Sequence, residues 1–202
     1  MWRVVTILLV LLIMAAVRVW NRRGPARAQP FTGPIAAFTL VAVSSLTPGP
    51  AGLTLSGWWY AGAAALLVTV GYGVALMIPA ARRALAVPSF EHPVRTALIG
   101  VPLSTVIFEE VAFRGVLWEL LYRDHGVVGA YLITALLFGL WHLPVTREVV
   151  FTTLAGVALS FLRHAGGGVL APFVLHWTAN GLGILASAWV RRSAQPDSGR
   201  PG

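Results

Sequence analysis

The strongest constraint on the fold is that apolar runs occupy most of the chain and short arginine-bearing segments separate them. The hydrophobic fraction is 57% and the charged fraction only 11%, whereas typical soluble domains carry about 25% charged residues. A run of about 20 apolar residues can cross a bilayer as a helix, which satisfies its own backbone hydrogen bonds. The sequence therefore predicts an all-α fold, a polytopic transmembrane helical bundle of about seven helices (six to eight).

The predicted crossings are residues 1–20, 34–47, 56–80, 96–121, 127–142, 149–162 and 169–190. The run 34–47 is short and precedes Pro48-Gly49-Pro50, so it either spans marginally or is re-entrant. The first run could instead be a cleaved signal peptide, but Ala26-Arg27-Ala28 follows an arginine cluster, which is the wrong order of charge. The Pro/Gly/Ser-rich tail, residues 193–202, is predicted to be disordered.

The basic residues test the orientation of these crossings, because cytoplasmic loops of membrane proteins are enriched in positive charge. The net charge is +8 and every basic residue is arginine, beside apolar runs, which argues against a nucleic-acid partner. With the N-terminus outside, the predicted cytoplasmic arginines are Arg18, Arg22, Arg23, Arg27, Arg82, Arg83, Arg95, Arg147, Arg191, Arg192 and Arg200. Arg3, Arg123 and Arg163 then lie outside, and Arg114 lies within a span. We expect an integral protein of a bacterial plasma membrane with a cytoplasmic C-terminus.

An acidic motif, residues 108–115, interrupts one of the predicted spans. Ionisable groups at membrane depth cost about 2.5–3.5 kcal/mol each on insertion scales and therefore suggest function. Glu110 and Arg114 are four positions apart, so they share a helix face and can pair. Glu109 is rotated by about 100° and lacks that partner, which makes it a candidate general base. A buried ion pair that only locks packing would explain Glu110 and Arg114, but not the second acid.

Two later spans also carry polar residues. Phe138 lies one turn before His142 near the end of one span, and His176 lies one turn before Asn180 in the last. Histidine is the usual proton shuttle or metal ligand near neutral pH. The alternatives are an interfacial histidine at a helix end for His142, and interhelical hydrogen bonds that act as packing glue for His176 and Asn180.

These side chains together form a set suited to hydrolysis. Glu109 could take a proton from water, and His142 could orient or share that proton. His176 and Asn180 could donate hydrogen bonds to the oxyanion that develops on an attacked carbonyl. Cysteine is absent and no serine or threonine has an obvious base beside it, so water is the expected nucleophile.

The ordered motifs Glu-Glu-x-x-x-Arg, Phe-x-x-x-His and His-x-x-x-Asn resemble those of the CPBP (Abi) family, the type II CAAX prenyl endopeptidases and bacteriocin self-immunity proteins. The resemblance covers about residues 95–190. It implies that Glu109 is the catalytic glutamate, with Glu110 and Arg114 as its supporting partners. It also implies that His142 acts on the water and that His176 and Asn180 form the third motif.

The resemblance predicts an intramembrane endopeptidase, with residues 91–192 as its catalytic core and residues 1–90 as transmembrane helices without family signal. Its partners would be the lipid bilayer and a peptide or membrane-protein substrate. If a metal is present, Glu109, His142 and His176 would hold Zn²⁺; Asn180 favours a metal-free mechanism because an amide is a poor zinc ligand but a good oxyanion donor. The rivals are a non-catalytic membrane scaffold or partner-binding protein, for example in bacteriocin immunity, and, more distantly, a proton-coupled transporter.

Overall fold

The computed structural model describes residues 2–46, 52–143 and 146–194, and within these ranges the chain is helical and contains no strand. Its helices are α1 (Trp2–Arg23), α2 (Gln29–Ser44), α3 (Trp58–Met77), α4 (Pro79–Leu85), α5 (93–125), α6 (127–140), α7 (Thr146–Gly166) and α8 (Leu170–Ala194). The predicted break at Pro48-Gly49-Pro50 lies outside the described residues, as do Arg200 and residues 195–202 of the predicted tail. The last helix continues to Ala194, so residues 193 and 194 of the predicted disordered tail are helical.

Five segments are long and apolar enough to cross a membrane: Val4–Arg23, Trp58–Met77, Pro93–Leu140, Glu148–Gly166 and Leu170–Ala194. The third has 48 residues. A straight helix of that length would extend about 70 Å, more than twice the hydrocarbon thickness of about 30 Å. Helix α2 has 16 residues, or about 24 Å, which is shorter than the hydrocarbon thickness of the bilayer. The predicted helical membrane bundle is confirmed.

The 48-residue segment is a hairpin that turns at Gly126. Gly126 has φ 66° and ψ −173°, a combination that is essentially restricted to glycine. Three ring contacts show the direction of the two helices. As the residue number rises along α5, the number of the contacting residue on α6, or just after its end, falls: Phe108 contacts Trp141 (6.0 Å), Phe113 contacts Phe138 (5.2 Å) and Trp118 contacts Tyr131 (5.1 Å). Helices α5 and α6 are therefore antiparallel, as two separate predicted spans require.

Small residues bring α6 and α7 close together. A Cβ atom on Gly156 would lie 3.0 Å from Cα of Ala135, so only glycine allows this approach without a shift. One turn farther along, the hydroxyl oxygens of Thr134 and Ser160 are 3.2 Å apart, and both residues are fully buried. Close backbone approach at small residues is a usual way to pack helices in lipid.

The buried centre of the bundle surrounds the middle of α5. Phe108, Phe113 and Leu117 of α5 are almost completely buried, and Val10 of α1 and Leu40 of α2 belong to the same apolar cluster. The first two helices therefore form part of the wall around the acidic motif. Many large apolar side chains on the outer faces are exposed, as expected for surfaces that contact lipid.

Contacts at the helix ends agree with the prediction that most arginines lie on one side of the membrane. Arg18 and Arg22 of α1 both donate to the carbonyl of Leu143, at the end of α6. Arg191 donates to the carbonyl of Ala86 at 3.2 Å, so the ends of α8 and α4 meet as well. Arg163 lies at the other end of α7. Which end faces the cytoplasm stays a prediction.

Candidate active site

Glu109 and Glu110 of the acidic motif lie between two π-helical segments of α5. Residues Pro102–Val106 and Val111–Leu117 have π-helical hydrogen bonding, whereas Ile107–Glu110 between them is α-helical. π-helical turns are rare and are often found at functional sites. They widen the helix locally and so change which side chains face a neighbouring helix.

Glu110 and Arg114 form the buried ion pair that their spacing predicts. Arg114 is 0% exposed and Glu110 1% exposed, and Nη1 of Arg114 lies 3.3 Å from Oε1 of Glu110. Nη2 of Arg114 donates to the carbonyl of Gly156 on α7 at 3.4 Å. The guanidinium carbon is also 4.1 Å from the ring centroid of Phe138, a cation–π distance that offsets part of the cost of burial.

His176 of α8 lies between the two glutamates. Its Nδ1 is 2.7 Å from Oε1 of Glu110, and its Nε2 is 3.8 Å from Oε2 of Glu109. A carboxylate only accepts, so Nδ1 carries the hydrogen of the shorter contact. Nε2 is therefore the nitrogen directed at Glu109. This contact joins α8 to α5, which is the interhelical bond that the packing-glue alternative expects of His176.

Glu109 is held by a residue that the sequence analysis missed. Its Oε1 accepts a hydrogen bond of 2.9 Å from the indole Nε1 of Trp141 on α6. Its Oε2 is buried and has no hydrogen-bond partner among the described residues. The carboxylate is therefore anchored through one oxygen while the other remains available. The only sequence signal for Trp141 was its place beside the motif histidine, His142.

Phe138 contacts both imidazoles. Its ring centroid is 5.0 Å from that of His142 and 5.8 Å from that of His176. His142 bonds through Nδ1 to the carbonyl of Phe138 at 2.8 Å, which leaves Nε2 as its free nitrogen. Among the described residues no hydrogen bond or ion pair joins His142 to Glu109. The structure thus places His176, and not His142, next to this carboxylate.

Asn180 lies in a groove one turn from His176. The groove has a volume of about 350 Å³ between α3, α5 and α8, and Thr105, Tyr72 and Gly183 line it as well. The Asn180 side chain is exposed and has no hydrogen-bond partner within the described ranges. The packing-glue alternative therefore does not explain Asn180.

The residues do not form a metal site as they are placed. Within the described part of the chain, no three histidine, aspartate or glutamate side chains are close enough to hold one ion. Within the set of Glu109, His142 and His176, only Glu109 and His176 are in contact, at 3.8 Å, and no described hydrogen bond or ion pair joins His142 to either of them. Zn²⁺ held by these three residues does not fit this geometry.

The comparisons with known proteins agree with these motifs. Residues 91–182 match the model of the family described as type II CAAX prenyl endopeptidase Rce1-like. This region is an Rce1-like domain. The domain includes all six candidate residues between Glu109 and Asn180, and the predicted family resemblance is confirmed. No curated protein and no solved structure matches the chain.

The match of residues 91–182 to the Rce1-like family model, together with the apolar helices, supports an integral membrane protease of the CAAX type that acts on peptide substrates. The match offers no support for a metalloprotease or for a bacteriocin-immunity role. The domain begins just before α5 and ends within α8, so α1 to α4 lie outside it.

Proposed function

We propose that the protein is an active intramembrane endopeptidase in which Glu109 activates the attacking water. The observation that carries this proposal is the gap between Oε2 of Glu109 and Nε2 of His176. At 3.8 Å the two atoms are too far apart for a direct hydrogen bond, but a water about 2.8 Å from each would bond to both. Oε2 is buried and has no other partner, so it is the available base.

The charges of the cluster support a mobile proton at this place. Glu109 and Glu110 carry two negative charges and Arg114 carries one positive charge, so one more proton makes the buried cluster neutral. Uncompensated charge is costly in an apolar interior. His176 contacts both carboxylates, so it can hold that proton or return it to Glu109.

The reaction follows from these positions. Water transfers a proton to Glu109 while its oxygen adds to the carbonyl carbon of the peptide bond. Negative charge develops on the carbonyl oxygen, where protonated His176 and the Asn180 amide can donate hydrogen bonds. The proton then passes to the amine nitrogen, the carbon–nitrogen bond breaks, and the carboxylate of Glu109 is restored. His142, whose Nδ1 bonds to the carbonyl of Phe138, has its Nε2 free to act on the water once substrate is bound.

The substrate would reach the site through the groove that Asn180 lines. Its wall is apolar except for a few groups such as Thr105 and Tyr72, which suits an extended segment of a peptide or membrane protein. Arg18 of α1 lies on the Trp141 side of the site, with its guanidinium carbon 4.9 Å from the Trp141 ring. We place the protein in a bacterial plasma membrane with its C-terminus in the cytoplasm.

The decisive experiment compares native membranes that contain equal amounts of wild type and Glu109→Gln. New protein N-termini are identified by mass spectrometry. Glutamine preserves size and can still accept from Trp141 but is no base, so termini formed only with wild type identify the substrate. Glu91→Gln is the matched control, because the Glu91 side chain is exposed and lies outside the cluster. Identical termini from well-folded Glu109→Gln would refute the proposal.

The second candidate is a non-catalytic scaffold. It is favoured by the His176–Glu110 bond, which ties α8 to α5 as packing glue would. A scaffold needs the size and hydrogen bonding of Glu109 but not its basicity. It therefore predicts that Glu109→Gln rescues the phenotype of a deletion strain, which an enzyme does not predict.

A further inference from the structure

A second buried arginine contacts the main chain of the motif. Arg163 of α7 is 7% exposed, although the sequence placed it simply at the outer end of a span. Its Nε donates a hydrogen bond of 2.7 Å to the carbonyl of Arg114. The bond therefore joins α7 to the acidic motif of α5, within the π-helical segment Val111–Leu117.

The π-helical turn explains why this carbonyl accepts from a side chain. In an α-helix, the amide of Trp118 would donate to the carbonyl of Arg114. Here the Trp118 amide donates instead to the carbonyls of Phe113 and Gly115. A buried carbonyl without a partner costs free energy. Arg163 donates to this carbonyl in the place that the Trp118 amide would take in an α-helix.

Arg163 is itself held in a fixed place. Its Nη2 is 3.5 Å from Oε2 of Glu119, and Oε1 of the same glutamate accepts from Arg123 at 3.2 Å. Gly52 closes the remaining side: it has φ +66°, and a Cβ atom there would lie 2.5 Å from Nη2 of Arg163. The guanidinium has little freedom to move away from Arg114.

Helix α7 thus contacts Arg114 at two points. The carbonyl of Gly156 accepts from the Arg114 side chain, and about two turns later Arg163 donates to the Arg114 main chain. From Arg114 the contacts continue to Glu110 at 3.3 Å and from Glu110 to His176 at 2.7 Å. A displacement of the π-helical turn would therefore reach the imidazole that faces Glu109.

We infer that Arg163 is a positioning residue: it holds the π-helical turn at Arg114 and, through Arg114 and Glu110, sets the direction in which His176 faces Glu109. The catalytic consequence rests on the proposed function. The geometric consequence does not, so the test measures both.

The test uses full-length protein in detergent or nanodiscs and four variants: Arg163→Met, Arg163→Lys, Arg123→Met and Glu119→Gln. The geometric measurement is the imidazole N–H resonance of His176, assigned by its loss in His176→Gln. We expect both Arg163 variants to shift or broaden it, because neither side chain reproduces the Nε donor. Arg163→Lys keeps the charge beside Glu119 and is decisive if Arg163→Met does not fold. Arg123→Met keeps Arg163 and its ion pair with Glu119 and should leave the resonance in place, whereas Glu119→Gln removes that ion pair but keeps the Nε donor and should shift the resonance less than the Arg163 variants do.

The catalytic measurement is peptide cleavage, with kcat and KM determined separately across pH. We expect Arg163→Lys to lower kcat about 10- to 100-fold with little change in KM, since small misplacement of catalytic groups has effects of this size. Its pH profile should also change. A merely structural role would lower the melting temperature and leave the profile of the folded fraction unchanged.

An unchanged His176 resonance in a folded Arg163 variant overturns the inference. A shifted resonance in a protein whose wild type cleaves nothing supports the inference and refutes the proposed function instead.

Discussion

Oε2 of Glu109 and Nε2 of His176 face each other across 3.8 Å, and no third described side chain bonds to that carboxylate oxygen. The two residues lie on different helices and 67 positions apart along the chain. Each is anchored from behind, Glu109 by Trp141 and His176 by Glu110. The gap is thus a defined space between two fixed groups, and the predictions below concern what holds it open.

Trp141→Phe should lower turnover about 10-fold while the protein stays folded. Phenylalanine keeps an aromatic ring against Phe108 and Phe113 but removes the N–H that Glu109 accepts, and a hydrogen bond to a charged group is worth about 1.5–3 kcal/mol. Cleavage per folded molecule is the measurement. Trp177→Phe is the control, since it loses an indole bond of the same length to the carbonyl of Ala97. Equal turnover in the two variants would contradict the role given to Trp141.

Asn180→Ala should reduce kcat about 100-fold without destabilising the fold. Its amide is exposed in the groove, so its removal leaves no buried group unpaired, while loss of an oxyanion donor typically costs about 10²–10³ in kcat. Turnover and thermal unfolding are measured on the same preparation. Thr69→Ala, an exposed polar residue of α3, should change neither. A lower melting temperature with normal turnover would restore the packing-glue interpretation.

Arg114→Met should destabilise the protein by about 3–5 kcal/mol, because it leaves Glu110 as an unpaired charge in the interior. The double variant Arg114→Met/Glu110→Gln should recover part of that loss, since it removes both charges. Thermal unfolding of the purified proteins tests this pair. The ion pair of Arg123 with Glu119 is less buried, with side chains 17% and 18% exposed, and provides the comparison. Its loss in Arg123→Met should cost about 1 kcal/mol or less. A double variant no more stable than Arg114→Met would contradict this account.

Gly126→Ala should cost about 1–3 kcal/mol, because its backbone conformation is unfavourable for any residue with a side chain. Steric crowding is not the reason, as a Cβ atom there would meet nothing within 4 Å. A Cβ atom on Gly71 would also meet nothing within 4 Å. Gly71 lies within a regular helix, so Gly71→Ala should stabilise the protein by up to about 1 kcal/mol. If both substitutions have the same effect on thermal unfolding, the backbone conformation of Gly126 is not the cause of the loss of stability.

Patterns along single helices were predictable. Hydropathy located the spans, because a lipid-exposed segment must be apolar over the thickness of the bilayer. The spacing of Glu110 and Arg114 predicted their ion pair, because residues four apart on one helix are neighbours whatever surrounds them. The three motifs also predicted the family whose model matches residues 91–182, since each motif is a short spacing within one segment of the chain.

Contacts between helices were decided only by the tertiary structure. The sequence assigned the water to Glu109 and His142; that His176 lies 3.8 Å from Glu109 is visible only in the structure. Trp141 and Arg163 were not assigned to the motif at all. Which side chains meet across two helices depends on their rotation and register. The rotation and register of the helices are set by the π-helical turns in α5, by the hairpin at Gly126 and by close approach at glycines such as Gly156. These features act together, so the residue spacing within any one segment does not reveal them.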